Sequence, residues 1–137
     1  MREPVTSPTA AAVGPYSHGV DAQGLVFCSG QTPIDPATGV LAEGGVGRRT
    51  DQCFDNLFGV LAAAGLTSDD VQKVNVFLTD MDDFDEMNAV YATRFAEPFP
   101  SRTTIGVASL PLGSNIEIEL IAQRPQVLKT AKATRHA

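Results

Sequence analysis

Basic residues are scarce in this chain, and their scarcity limits what it can bind. Ten Lys and Arg residues stand against sixteen Asp and Glu residues, which gives a formal net charge of −6. Proteins that bind nucleic acids or anionic membrane surfaces neutralise phosphates with clustered Lys and Arg side chains. We therefore expect neither a nucleic acid nor a membrane among the partners. A small anionic molecule is compatible with this charge, because one local arginine can bind it.

Cysteine, histidine and long apolar runs are also rare. Cys28 and Cys53 do not form a Cys-x-x-Cys pair, and His18 lies far from His136, so we expect no metal site and two buried, reduced thiols. No apolar run approaches the roughly 18–20 residues that a membrane-spanning helix needs. We expect no signal peptide, and we therefore predict a cytoplasmic protein.

The spacing of apolar residues predicts elements in the order β-β-α-β-α-β-β. Apolar residues recur at helical spacing in two segments and alternate in the others. The predicted strands span residues 17–21, 25–29, 71–78, 103–109 and 114–123, one helix spans residues 47–64, and a second follows a cap at Asp82 or Asp83 and ends before Pro98. Residues 1–13 are predicted to form an extended lead-in and residues 32–45 a surface loop.

The length of 137 residues predicts a single domain, with its core at about residues 10–125 and a flexible tail at residues 126–137. The element order favours an α+β fold in which one mixed sheet carries both helices on one face. Two helices cover only that face, although the strands at Ile105 and Val107 and at residues 116–120 are apolar. We therefore expect an open apolar face and a homo-oligomer that covers it.

Two charged residues in the last strands indicate where the chemistry takes place. Arg102 begins one apolar strand, and Glu117 lies inside the next strand among residues expected to be buried. A guanidinium binds a carboxylate through two parallel hydrogen bonds, and a half-buried glutamate is costly unless it is paired or used. Together they predict a small pocket for an anionic substrate beside an acid/base group. The spacing does not separate Glu117 from Glu119, which points the same way, and either can instead belong to a structural ion pair.

Three further segments carry polar residues suited to a binding pocket. The pair Gly14-Pro15 forces an extended entry that fixes the direction of the Tyr16 phenol. Ser29 and Gly30 end a predicted strand, where a ligand can approach the backbone closely because glycine has no Cβ. Ser29 lacks the His and Asp partners of a nucleophile, so we expect it to bind rather than react. Asn88 is a polar residue on the predicted second helix.

In their order along residues 10–125, these segments resemble the Rid family of reactive-intermediate imine deaminases, also called YjgF proteins. The segments that carry the likeness are Gly14-Pro15-Tyr16-Ser17, Val26-Phe27-Cys28-Ser29-Gly30-Gln31, Asp35-Pro36-Ala37-Thr38-Gly39, Val76-Phe77-Leu78-Thr79-Asp80-Met81, Met87-Asn88-Ala89-Val90-Tyr91, residues 98–102 and Ile116-Glu117-Ile118-Glu119.

The resemblance implies a fold like that of chorismate mutase and a homotrimer with active sites at the subunit interfaces. It implies a hydrolase without a metal or organic cofactor, which converts 2-iminobutanoate, 2-iminopropanoate and similar 2-imino acids to 2-keto acids and ammonia. The catalytic residues it implies are Arg102, which binds the substrate carboxylate, and Glu117, which holds and activates the water. The substrate-binding residues it implies are Arg102, Tyr16, Ser29, Gly30, Asn88 and Thr104.

Two positions depart from the pattern that many family members share. His18 stands where many members have glutamine, and Thr104 stands where many have cysteine. Threonine keeps a small polar group but has no thiol. We expect the core reaction to persist, while the preferred chain length of the substrate stays open.

Three alternatives remain beside this interpretation. The chain can be a deaminase of a larger enamine such as 2-aminomuconate, or a non-catalytic trimer that binds small acids or acts as a chaperone. Ribonuclease activity has been attributed to relatives, but the acidic charge and the lack of a basic stripe disfavour it.

Overall fold

The computed structural model describes residues 1–10 and 14–126, so the predicted tail lies almost wholly outside the described residues. Within this part of the chain there are two α-helices, eight strands and three short 3-10 turns. The elements are β1 (Glu3–Val5), β2 (Gly19–Ala22), β3 (Leu25–Gln31), β4 (Ile34–Asp35), β5 (Val40–Leu41), α1 (Val46–Ala63), β6 (Val71–Leu78), α2 (Phe84–Arg94), β7 (Ser101–Gly106) and β8 (Ile116–Gln123). Neither helix in the described ranges has the length and apolar character needed to cross a membrane.

Six of the strands form one sheet in the order β1-β2-β3-β8-β6-β7. Neighbouring strands are antiparallel except β6 and β7, which run parallel because α2 returns the chain to the edge where β6 began. The predicted α+β fold with a mixed sheet is therefore confirmed. Strands β4 and β5 form a separate hairpin.

Both helices pack on one face of the sheet, as the sequence predicted. Phe54 and Leu57 of α1 and Met87 of α2 belong to one buried cluster with the inward residues of β6 and β8. Alternation along each strand places these inward residues on the helix side. They are Val74, Val76, Leu78, Ile116, Ile118 and Leu120.

The open face of the sheet is apolar, but part of its predicted composition is wrong. Residues 116–120 were expected to contribute their isoleucines and leucine to this face, whereas the helices cover those side chains. The open face carries Ile105, as expected, together with Leu25 and Phe27, and the three side chains are 45%, 38% and 43% exposed. The cause is the register, since Ile116 pairs with the inward-facing Leu78.

Several element boundaries differ from the prediction because they depend on partners distant in the sequence. Residues 3–5, predicted to lie in an extended lead-in, form a strand that pairs with β2, and the predicted loop at residues 32–45 contains the β4–β5 hairpin. Strand β7 begins two residues earlier than predicted, because Ser101 already pairs with Lys73. It also ends three residues earlier than predicted, at Gly106, and the remaining strand ends agree with the prediction to within two residues.

The predicted cap of the second helix at Asp82 or Asp83 is also wrong. A 3-10 turn, Met81–Asp83, precedes α2, and the Asp82 amide donates to Oδ1 of Asp80 at 2.9 Å. Asp83 makes no side-chain capping bond at the start of α2. The capping carboxylate therefore belongs to the residue that precedes the extra turn.

A carboxylate from α2 caps the N-terminus of α1. Gly45 occupies the N-cap position without a capping side chain, and the first turn of α1 contains no acidic residue. The Gly47 amide instead donates to Oε2 of Glu86 at 2.9 Å. A Cβ at Gly47 would lie 2.8 Å from that oxygen, so the glycine permits this approach. Glu86 therefore satisfies an amide and complements the dipole of a helix to which it does not belong.

We expect Glu86→Ala to lower the free energy of unfolding by about 1 kcal/mol, the usual cost of a lost N-terminal cap. Chemical denaturation followed by circular dichroism measures this loss. Asp85→Ala is the matched control, because it removes an exposed carboxylate from the same turn. Equal losses in both variants would show that the Gly47–Glu86 contact contributes nothing of its own.

Candidate functional site

Glu117 lies on the open side of the sheet in a cavity of about 450 Å³. It pairs in register with Phe77 of β6, and its side chain is half-buried. Burial and the nearby charge of Glu119 raise the pKa of the Glu117 carboxyl above its ordinary value. The cavity is lined by Tyr16, Ser29, Gly30, Thr32, Pro111, Leu112, Glu117 and Glu119. A carboxyl that keeps its proton to higher pH is suited to acid/base work.

Gly30 makes room for the Glu117 carboxylate. The pairing of β3 with β8 shifts between Cys28 and Gln31, so the chain bulges at Gly30. A Cβ at Gly30 would overlap Oε2 of Glu117 and lie 3.0 Å from its Cδ. The expected close approach at this glycine therefore exists, and within the chain the group that approaches is Glu117 itself.

The serine and the tyrosine beside this cavity are held differently. The Ser29 hydroxyl donates to the carbonyl of Ser17 at 2.7 Å, so its oxygen keeps lone pairs for a donor from a ligand. Tyr16 is 47% exposed and lines the cavity from the loop before β2.

His18 is buried, and its Nδ1 accepts the Ser7 amide at 3.0 Å, which gives this histidine a structural contact.

Arg102 lies on the other side of the sheet, beside a second cavity of about 290 Å³. It pairs with Val74, whose side chain faces the helices. Its Nη1 donates to Oδ1 of Asn88 on α2 at 2.7 Å. Its guanidinium carbon lies 4.6 Å from the ring centre of Tyr91 and 5.6 Å from that of Phe84. Among the described residues no carboxylate forms a salt bridge with Arg102, so its charge is available to a ligand.

Tyr91 is the residue of this cavity whose role the sequence did not reveal. The structure buries it. Its ring also supports the guanidinium, a favourable cation–π arrangement. Burial raises the pKa of its hydroxyl, although the charge of Arg102 acts in the opposite direction. The spacing in the sequence could have indicated this role, because Tyr91 follows Asn88 by three residues and so lies on the same face of the helix.

Thr104 lies on the same side of β7 as Arg102 but does not line the cavity. It pairs with Val76, and its Oγ1 is buried without a hydrogen-bond partner in the described part of the chain. Of these predicted binding residues, Arg102 and Asn88 therefore line the cavity together, and Thr104 does not. The cavity is lined by Asn88, Tyr91, Ala92, Phe99, Pro100 and Arg102.

The two charged residues predicted to share one pocket do not share one within a single chain. Arg102 is in register with Val74 and Glu117 with Phe77, and positions an odd number of residues apart on β6 face opposite sides. One chain alone therefore does not bring the two residues into one pocket, and the expected site at a subunit interface stays a prediction. The predicted residues instead form two half-sites, the Glu117 half-site with Tyr16, Ser29 and Gly30, and the Arg102 half-site with Asn88.

The cysteines are buried and free, as predicted. Burial raises the pKa of the Cys28 thiol to about 12, and burial and the charge of Glu117 raise the pKa of the Cys53 thiol well above its usual value. The Cys53 thiol donates to the carbonyl of Gln31 at 3.2 Å, beneath the bulge. Within residues 1–10 and 14–126, no cluster of three or more His, Cys, Asp or Glu residues is arranged to hold a metal ion.

The chain is similar to known proteins over most of its length. The sequence matches the family model for endoribonuclease L-PSP over residues 6–124. A mouse protein named 2-iminobutanoate/2-iminopropanoate deaminase is 41% identical over 124 residues, which cover 90% of this chain and 92% of the mouse protein. A Schizosaccharomyces pombe protein named as mitochondrial is 44% identical over 124 residues, which cover 88% of this chain and 75% of that protein. The crystal structure of E. coli TdcF with bound serine superposes with a TM-score of 0.85 at 38% identity, covering 90% of this chain and 99% of that chain.

The contact between Gly30 and Glu117 gives a prediction that a double-mutant cycle tests. We expect Gly30→Ala to destabilise the protein by about 1–3 kcal/mol, because the new methyl group displaces the Glu117 carboxylate. In a Glu117→Ala background the overlap is gone, and the same substitution is expected to cost little. Thermal and chemical unfolding of the four proteins measure the difference. An identical loss in both backgrounds would mean that Gly30 serves the backbone rather than the carboxylate.

Proposed function

This chain belongs to the Rid (YjgF) family, and from that premise we propose that it hydrolyses 2-imino acids such as 2-iminopropanoate and 2-iminobutanoate to 2-keto acids and ammonia. The observation that carries the proposal is the pair of half-sites. One holds a cation without a carboxylate partner among the described residues, and the other holds a half-buried carboxyl whose pKa is raised. The name of the mouse relative, at 41% identity, supports the same reaction class.

Arg102 is assigned the binding of the substrate carboxylate. A guanidinium group has five N–H donors, and within the described residues Arg102 uses one of them, in its bond to Asn88. The remaining donors suit a two-pronged bond to a carboxylate. Tyr91 and Asn88 orient the fork, so less conformational freedom is lost when the ligand binds. Serine, which is bound in the E. coli neighbour, carries the same carboxylate group.

Glu117 is assigned the hydrolysis step. Its carboxylate holds a water molecule and accepts a proton as the water oxygen bonds to the carbon of the protonated C=N group. Glu117 then returns that proton to the nitrogen of the carbinolamine, and the C–N bond breaks as the hydroxyl group gives its own proton to the Glu117 carboxylate, which yields the 2-keto acid and ammonia. The iminium carbon is already electrophilic, so positioning the water and managing one proton suffice for this step.

The separation of the half-sites supports a homotrimer with composite sites. One chain presents Arg102 on the helix side of the edge strand β7 and Glu117 on the open side of the sheet. Packing of copies in a closed ring joins different surfaces of neighbouring subunits, and this is the geometry that unites two such halves. The exposed Leu25, Phe27 and Ile105 on the open face offer apolar surface for that packing.

The cytoplasmic location predicted from the sequence stays a prediction, and the S. pombe relative is named as mitochondrial. Assays distinguish the three rival functions. A deaminase of a larger enamine such as 2-aminomuconate would turn over that substrate faster than 2-iminopropanoate. A non-catalytic trimer would bind small acids and leave the spontaneous decay of imino acids unchanged. RNA cleavage that persists after loss of Arg102 would favour the ribonuclease named in the family model.

We expect Arg102→Ala to reduce kcat/KM for 2-iminopropanoate by ~10²-fold or more, as loss of a charge that anchors a ligand does. An amino-acid oxidase supplies the imino acid, and the appearance of the 2-keto acid above the spontaneous rate gives the turnover. Arg102→Lys keeps the charge but loses the planar fork, and we expect an intermediate loss. Arg48→Ala removes an exposed arginine as a control. Near-normal turnover in Arg102→Ala would overturn the assignment.

Subunit mixing tests whether each site draws on two chains. Arg102→Ala and Glu117→Gln are each expected to be inactive alone. When the two variants are coexpressed in equal amounts, about one quarter of composite sites regain both residues, because each residue is intact in half of the chains. We therefore expect about a quarter of wild-type activity. No recovery in verified mixed oligomers would show that both residues of a site belong to one chain.

A further inference from the structure

The Glu117 cavity contains a second carboxylate that the proposed reaction does not use. Glu119 lies two residues after Glu117 on β8, so both side chains face the open side of the sheet and line the same cavity. Asn75 of β6 lies opposite Glu119 in register, and its Nδ2 donates to Oε2 of Glu119 at 2.9 Å. The amide holds this carboxylate in place without neutralising its charge.

The surroundings leave that negative charge uncompensated within the described half-site. The residues that line the cavity include no lysine and no arginine. Lys73, two residues before Asn75 on β6, directs its Nζ to Oγ1 of Thr103 on β7 at 2.8 Å. No Lys, Arg or His in the described part of the chain forms a salt bridge with Glu119. The wall that β8 contributes to this cavity is therefore anionic.

We propose that Glu119 is a specificity-determining residue, whose fixed negative charge selects 2-imino acids with an uncharged side chain and rejects those with a second carboxylate. This inference rests on the proposed function. Arg102 anchors one carboxylate, so the side chain of the substrate extends toward the wall formed by Glu117 and Glu119. A second carboxylate there meets like charge in a partly buried setting, where Coulomb repulsion is only partly screened. The raised pKa of Glu117, to which Glu119 contributes, indicates that this charge acts within the cavity.

The test compares Glu119→Gln with the wild type on two imino acids. Glutamine keeps the shape of glutamate and an oxygen that can accept from Asn75, but it removes the charge. The substrates are 2-iminopropanoate, with one carboxylate, and 2-iminoglutarate, with two. We expect the ratio of kcat/KM for 2-iminoglutarate to that for 2-iminopropanoate to rise roughly tenfold in Glu119→Gln.

Glu97→Gln is the matched control, because it makes the same charge change at an exposed residue outside the cavity. It is expected to leave the ratio at the wild-type value. An unchanged ratio in Glu119→Gln, or an equal rise in Glu97→Gln, would overturn the proposal.

A binding measurement separates failure of this inference from failure of the proposed function. Pyruvate and 2-oxoglutarate are the keto-acid counterparts of the two substrates, and calorimetric titration gives their affinities without any turnover. We expect the wild type to bind pyruvate more tightly than 2-oxoglutarate. In Glu119→Gln we expect the ratio of the two dissociation constants to fall roughly tenfold. Equal affinities in the wild type would refute the role of Glu119 even if the variant failed to fold. If the wild type prefers pyruvate as expected but hydrolyses no imino acid, the proposed function is refuted and the role of Glu119 in ligand selection is not.

The pH profile distinguishes a charge effect from a merely structural one. The titratable groups around Glu117 are Glu119 on the same strand, Tyr16 on the loop before β2 and Cys53 of α1 beneath the bulge. The charge of Glu119 helps Glu117 to keep its proton, so removing it allows Glu117 to ionise at lower pH. We expect the acidic limb of kcat/KM for 2-iminopropanoate to move to lower pH in Glu119→Gln. An acidic limb that stays in place would count against the proposal.

Discussion

The alternation of side chains along a β-strand determines where each functional group of this protein lies. Strand β6 pairs with both β7 and β8, so its register orients Arg102 and Glu117 at the same time. A slip of one residue on either side would turn Glu117 into the apolar core or Arg102 away from Asn88. The rows of valine, leucine and isoleucine beneath the helices oppose such a slip, because it would expose them to water. The hydrophobic core thus sets the geometry of the charged groups.

The two half-sites prepare opposite charges in different ways. Arg102 lies against aromatic rings and a neutral amide, which orient the cation without neutralising it. Glu117 lies in a half-buried position near another carboxylate, and both raise its pKa, which makes the ionised carboxylate a stronger proton acceptor. If the two groups met within one chain, a direct ion pair would satisfy both and leave little for a ligand. Their placement on opposite sides of the sheet avoids that pairing, at the cost of making each chain incomplete.

Local patterns predicted the features that depend on near neighbours. The periodicity of α1 and the alternation of β6 were both visible in the sequence. The strand at residues 3–5 and the β4–β5 hairpin were not, because short strands are stabilised by their pairing partners rather than by their own composition. The side of the sheet that Arg102 faces depends on its register with β6, which no local pattern contains. Gly30 was predicted as a point of close approach, but its neighbour Glu117 became apparent only in the folded chain.

The cap that Glu86 places on α1 also has a consequence for synthesis of the protein. The amide of Gly47 and the carboxylate that satisfies it are separated by 39 positions in the chain. While the polypeptide emerges from the ribosome, α1 leaves the exit tunnel well before residue 86 does. Its first turn therefore lacks this partner during that interval, and water must solvate the amide. The start of the longest helix is completed only after the second helix has been translated and has docked against it.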